Sequence, residues 1–270
     1  MNQVSIRIAK RRKALEQISE IVNNSSLALV IHYSCESFYE ITDGRTPRIT
    51  SIAVRFFKTG QTKSFSIHKV AERKGVKIED IEEVYDELEK EMLLEYFAFV
   101  KDHRAYNWIH WNMRDINYGF EAIAHRFAVL GGTPESINDE NKVDLARVLV
   151  SIFGPSYIGH PHLEKLIEKN GITKKDFLAG EQEAKAFQNK EYVRLHQSTL
   201  RKVDIIHSIA EKIVEDTLKT NSKMMTMYGY TPQGIYELVK DNWIFGVIFT
   251  LIGMTLSTAL SVLVSKWFSK

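Results

Sequence analysis

Apolar residues at helical spacing open the chain. Ile6, Ile8, Leu15, Ile18, Ile21 and Val22 are interleaved with Arg7, Lys10, Arg11, Arg12 and Lys13, which predicts a basic amphipathic helix over residues 1–26. One face of such a helix packs on a core, or its bases meet anionic lipid or RNA. After the break Asn23-Asn24-Ser25-Ser26 the pattern changes. Leu27–Tyr33 is a short apolar run suited to a buried strand. An Asp43-Gly44 turn and Pro47 lead into Arg48–Phe57, which is β-branched and aromatic, and Thr59-Gly60-Gln61 reads as a hairpin turn into Lys63–His68. From Ile78 to Val100 the period becomes helical, with Ile81, Val84, Tyr85, Leu88, Met92, Leu93, Tyr96 and Phe97 on one stripe. Asn107–Trp111 is short enough for a fourth strand. Helical patterns follow over Asp115–Leu130, Lys142–Phe153, Leu163–Asn170 and about Tyr192–Lys219. Three hairpin-connected strands, a helix, a strand and then helices define an α/β domain over 27–218.

A different pattern closes the chain. Trp243–Ser265 holds 23 consecutive uncharged residues. As a helix it measures about 34 Å at ~1.5 Å per residue, against a hydrocarbon core of roughly 30 Å. Trp243 and Trp267 bracket it where amphipathic rings favour a membrane boundary. The pattern predicts one C-terminal transmembrane helix, joined by a 219–242 linker. With no secretion signal at the N-terminus, the expected topology is single-pass with the N-terminal domain in the cytoplasm. Gly246, Thr250, Gly253, Ser257 and Ser261 share one face of this helix, which predicts close helix–helix contact and a homo-oligomer.

Composition adds little to this picture. The formal net charge of +2 supplies no general pull toward nucleic acid, so such binding needs a local patch. The single cysteine, Cys35, excludes an intrachain disulfide and reads as a small packing residue. Neither a phosphate-cradling glycine loop nor zinc-ligand spacing occurs.

The candidate chemistry lies just past the strand ends. Ser34-Cys35-Glu36 follows the first apolar strand, and Arg48-Ile49-Thr50-Ser51-Ile52-Ala53-Val54 forms the next. His110-Trp111-Asn112-Met113-Arg114-Asp115 follows the fourth strand, and His196 opens a long final helix that also carries Arg201 and Asp204. In this order, over roughly residues 27–215, these stretches resemble the ribonuclease H-like fold of the DEDD-type 3′–5′ exonuclease superfamily. The resemblance implies a ribonuclease H-like mixed sheet flanked by helices. It also implies a cluster of carboxylates holding two Mg²⁺ or Mn²⁺ ions that activate water and stabilise a leaving phosphodiester oxygen. Position by position, it implies catalytic roles for Glu36, Asp115 and His196, with Glu36 and Asp115 as metal ligands; Asp204, one turn past the matching position, stands in as a catalytic acid of a remodelled site, with Glu40 as a further one.

The motifs are only half kept. Ser34 stands where the first aspartate is usual, Trp111 where an asparagine is usual, and Arg201 at the last aspartate position. A cation at that last position opposes metal binding. The expectation is therefore a degenerate site that binds nucleic acid or nucleotide, with residual metal-dependent hydrolysis as the enzymatic version. An oligomeric membrane effector of the defence or toxin type, with the folded domain as sensor, is the alternative from another class.

Simpler roles compete at each position. Glu36 also suits turn amides, Asp115 a helix start, and His196 a satisfied helix histidine. Trp108, His110, Trp111, Asn112 and Arg114, with Arg201, suit stacking and edge recognition of a base. Equally, the first five suit a buried polar network at a strand–helix junction.

Overall fold

The computed structural model describes residues 3–37, 46–223, 227–229, 232–241 and 243–268. The chain is α/β, a five-stranded mixed sheet flanked by helices. Helix α1 (Gln3–Asn23) precedes strands β1 (Ala28–Cys35), β2 (Ile49–Phe56) and β3 (Thr62–Ser66). Helices α2 (Ile67–Lys74) and α3 (Tyr85–His103) lead to β4 (Asn107–His110), and α4 (Phe120–Val129) to β5 (Lys142–Asp144). Then come α5 (Leu145–Phe153), α6 (His162–Lys169), α7 (Gly180–Gln188) and α8 (Tyr192–Val214).

The strands lie in the order β3-β2-β1-β4-β5. β2 runs antiparallel to both neighbours, while β1, β4 and β5 are parallel. The chain winds to one side of β1 first and to the other side later, so the strand order reverses between β1 and β4. Ligands of open α/β sheets gather at such a point, beyond the carboxyl ends of the strands.

Alternation along β1 divides its side chains between two cores. Ala28 and Val30 join the core under α1, α5, α6 and α8, whereas Leu29, Ile31 and Tyr33 join the one under α2, α3 and α4. With both faces covered, β1 and the first part of β2 are buried nearly throughout, including the polar His32, Ser34, Thr50 and Ser51. α1 buries Ile8, Ala14, Ile18 and Ile21 and packs against α5 and α8. Its stripe therefore belongs to the core.

Several boundaries depart from the sequence pattern. Lys142–Phe153 divides into β5 and α5, because Asp144 takes the N-cap and accepts a hydrogen bond from the Ala146 amide at 3.1 Å. The helix expected from Asp115 begins only at Phe120. Residues 112–119 form a tight loop instead, in which Gly119 has φ 158° and a Cβ there would lie 2.6 Å from the Met113 carbonyl. α7 has no counterpart in the pattern, being short and largely polar. The expected Asp43-Gly44 turn lies outside the described residues.

The C-terminal expectation requires correction. Among the described residues no helix is long and apolar enough to cross a membrane. A helix does run over Trp243–Phe268. Its middle turns run from Thr250 to Val262. That stretch is diluted by Gly253 and by hydroxyls, of which Thr250, Thr255, Thr258 and Ser261 donate to carbonyls of their own helix. The transmembrane helix in the fold class, the tail-anchored single-pass topology, the cytoplasmic placement, the membrane partner at Trp243–Ser265 and the membrane effector built on it are withdrawn. The bracketing expected of Trp243 and Trp267 falls on side chains outside the described ones.

Candidate functional site at the carboxyl end of β1

β1 ends at the reversal point with Ser34, 2% exposed, opposite Ser51 on β2. α8 crosses this end of the sheet and adds Thr199, fully buried. Thr199 Oγ1 lies 2.8 Å from Ser34 Oγ and 2.7 Å from Ser51 Oγ, and Ser34 Oγ donates to Glu183 Oε1 of α7 at 3.0 Å. Thr199 Oγ1 also donates to the Leu195 carbonyl at 2.9 Å, so four contacts share three hydroxyl protons, with Ser51 donating to Thr199 and Ser34 to Glu183. Glu183 collects two further donors. Ser198 Oγ donates to Oε1 at 3.2 Å, and Lys202 Nζ sits 2.6 Å from Oε2. The Lys202 side chain is 7% exposed and lies over the Phe177 ring. A buried ammonium requires such a partner, because removing it from water uncompensated costs several kcal/mol. Its charge also reaches His32, whose pKa is held well below the usual histidine value first by burial and then by Lys202.

Beside this network lies a cavity of about 660 Å³ lined by Tyr33, Ser34, Cys35, Glu36, Tyr118 and Glu183, among others. Glu36 is half-buried here. Its amide donates to the Arg48 carbonyl at 2.8 Å, and the Arg48 amide lies 3.4 Å from its Oε2. Cys35 is half-buried, and desolvation, with Glu183 and Glu36 nearby, pushes its thiol up to about 12. Such a thiol stays protonated at neutral pH and is no nucleophile. Tyr118 stacks on Tyr33 at 4.6 Å and donates to the Tyr33 carbonyl at 3.2 Å, while the Gly119 amide donates to Tyr33 Oη at 3.0 Å. These bonds set the loop after β4 as one wall of the cavity.

The other expected site residues fall elsewhere. Asp115 is exposed and accepts the Asn117 amide at 2.8 Å, holding its own turn. Trp108 is fully buried in the core beneath α3, donating to the His103 carbonyl, and Trp111 enters the core on the opposite face. Consecutive strand residues point to opposite faces, with one residue shifting the face, so these two rings form no common stacking surface. His110 accepts the Met113 amide at Nδ1, and burial pulls its pKa down to about 4. Asn112 adopts φ 55° and accepts from Arg114, which also pairs with the Asp144 carboxylate. This group is the local polar network at the junction of β4 with the following loop.

Position along α8 explains the remainder. Thr199 meets Ser34 and Ser51, but Asp204 pairs at 3.0 Å with Arg55, whose β1 neighbour is Val30. Val30 and Ser34 are four residue steps apart along the strand, roughly 13 Å. Arg201 donates to the Thr173 carbonyl and faces away from the cavity. His196, 4% exposed, packs against His68 at 5.0 Å between ring centroids, and burial lowers its pKa to about 3. Glu40 lies outside the described residues.

These carboxylates do not suit the Mg²⁺ or Mn²⁺ pair that the motifs imply. Hard cations require converging oxygen ligands. Among the expected acids that are described, Glu36 alone reaches the cavity, and its carboxylate neighbour Glu183 is held by Lys202. Among the described residues no group of three or more His, Cys, Asp or Glu side chains is arranged to hold a metal ion. Glu183 and Thr199 were not singled out from the sequence, and Lys202, which beside Arg201 reads as part of a solvated face able to touch phosphate, is buried instead. A signal for Lys202 existed, since it falls on the apolar stripe of α8 between Thr199 and Val203, where a cation needs a buried partner.

Compared with family models, with curated proteins and with solved structures, the chain matches none.

Proposed function

We propose that this chain is a ribonuclease H-like, exonuclease-like domain in which metal-dependent hydrolysis has given way to metal-independent binding of a nucleotide or nucleic-acid strand at the carboxyl end of β1. The observation that carries the reading is the buried Lys202 ammonium beside Ser34, at the reversal of a β3-β2-β1-β4-β5 sheet whose β2 is antiparallel. In a two-metal exonuclease this place needs negative charge to gather cations. Here a serine stands at the first acid position, and the final helix supplies a fixed positive charge. This ammonium, now paired with Glu183, can balance a phosphate group without a metal where the phosphate takes the carboxylate's place, although its geometry is that of a point charge. The adjoining cavity, with the aromatic Tyr118 at its wall, has room for a base or sugar.

Fluorescence anisotropy of the full chain with labelled single-stranded DNA, RNA and nucleotides tests this directly. Binding of equal strength in EDTA and in Mn²⁺, without cleavage, is expected. Mn²⁺-dependent cleavage that Glu36→Gln abolishes would establish a remodelled enzyme instead, and no binding of any of these ligands would reject the reading.

A further inference from the structure

The Glu183 carboxylate occupies a pocket of donors that the rest of the fold builds without it. Ser34 comes from β1, Ser198 and Lys202 from α8, and all three residues are at least nine-tenths buried. Their polar atoms converge on one carboxylate at 3.0, 3.2 and 2.6 Å. Ser34 is braced by Thr199 and, through it, Ser51. Two hydroxyls and an ammonium around one anionic group make a preorganised oxyanion-binding niche. We propose that Ser34, Ser198 and Lys202 form a phosphate-binding niche that α7 closes with its own Glu183 until a phosphate-bearing ligand displaces it. The inference rests on the reading of this cleft as a nucleotide or nucleic-acid site, and names the group that is recognised and the element that gates it.

Three features of α7 suit a displaceable plug. Its own fully buried side chain is Ala186, in a small cluster with Leu178 and Leu195, and it meets the core under α3 through the partly buried Phe187, beside Tyr85 and Tyr192. Elements with little buried apolar surface open at low free energy. It is flanked by Asp176 and Lys190, which both adopt left-handed backbone conformations with φ 64° and 59°, so the chain turns sharply on each side. Gly180, Glu181, Glu183 and Ala184 of α7 also line the adjacent 660 Å³ cavity, so lifting the helix joins niche and cavity into one groove. A phosphate entering the niche would have the remainder of its molecule beside Tyr118 and Glu36. Competition fixes the affinity. A ligand must replace an intramolecular carboxylate, and its apparent affinity falls by the fraction of chains in which α7 is open.

Titration calorimetry of the full chain with inorganic phosphate, comparing native protein with Glu183→Ala, tests the plug. The expected result is binding at least tenfold tighter in Glu183→Ala, and loss of that gain when Lys202→Met is added. Native-like circular dichroism with no gain in phosphate affinity would overturn the proposal. Should Glu183→Ala fail to fold, hydrogen exchange of the native chain decides. Phosphate, but not chloride at matched ionic strength, is expected to speed exchange of the 180–188 amides, and unchanged exchange would overturn the proposal. Phosphate binding without nucleotide or oligonucleotide binding would leave the niche standing and remove the nucleic-acid reading. Oligonucleotide binding indifferent to Glu183→Ala would do the reverse.

Discussion

His196 is almost fully buried, its Nε2 has no hydrogen-bond partner, and its ring faces His68 with Lys69 nearby. Desolvation first, and then repulsion from Lys69 and His68, keep the imidazolium form out until about pH 3. The unfolded chain protonates the same ring near its ordinary value of about 6.5. Between these values the unfolded state binds the extra proton, so stability is lost as pH falls below about 6.5. His110 behaves alike down to about pH 4. From pH 6.5 to pH 5 each histidine contributes a loss of about 2 kcal/mol. Thermal melts at pH 7 and pH 5 are expected to show a fall in Tm that is smaller in His196→Leu than in the native chain. An equal fall in both would show that His196 does not carry the effect. The same burial that makes His196 a structural group removes it from the role of general base.

Among the elements, the 112–119 loop depends most on one residue. Gly119 bridges Arg114, donates its amide to Tyr33, and approaches the Met113 backbone so closely that a methyl group would clash. Gly119→Ala is expected to cost about 2 kcal/mol or more, because the obstructing atoms are backbone and cannot swing aside. Urea denaturation would measure it, and a midpoint within error of the native chain would contradict the close approach. The loop forms the Tyr118 wall of the cavity, so ligand affinity should fall with stability. α7 stands at the other extreme. Its polar sequence and small apolar contact leave it invisible to periodicity, yet it carries the carboxylate that completes the Lys202 network.

At the scale of the whole molecule, two cores share one sheet, and the chain beyond α8 attaches to this body. The Lys219 amide donates to Asn170 and the Asn221 amide to the Tyr157 carbonyl, so the start of the expected linker is pinned. Tyr228 is buried with the Arg11 guanidinium over its ring, and the helix Pro232–Asp241 packs against α1. The Trp243–Phe268 helix, by contrast, exposes Ile248, Leu251, Ile252, Met254, Leu256 and Leu260. Apolar surface of this extent is of the kind that association covers. Homo-oligomerisation through the face of Gly246, Thr250, Gly253, Ser257 and Ser261 is the expected outcome, with light scattering giving a mass above one chain and a chain ending at Asp241 falling to one. A native mass equal to one chain would remove that expectation.

The α/β class, β1, β2, β4 and most helices were legible because each buries a regular apolar face, and burial leaves a period in the sequence. Glu36 was legible as a cleft residue because it directly follows a buried strand. The pairing that defines the cleft was not. Ser34, Glu183 and Lys202 are separated by up to 168 positions, and their meeting depends on where α7 and α8 cross the sheet. Asp115 was placed at the site by motif spacing, and Asp204 as a stand-in one turn past Arg201. One then proved to hold its own turn and the other to pair with Arg55 farther down the strand. Spacing along the chain determines which face of an element a residue occupies. Only the packing of one element on another determines which charges meet, since Coulomb and hydrogen-bond energies depend on distances that the sequence order does not contain.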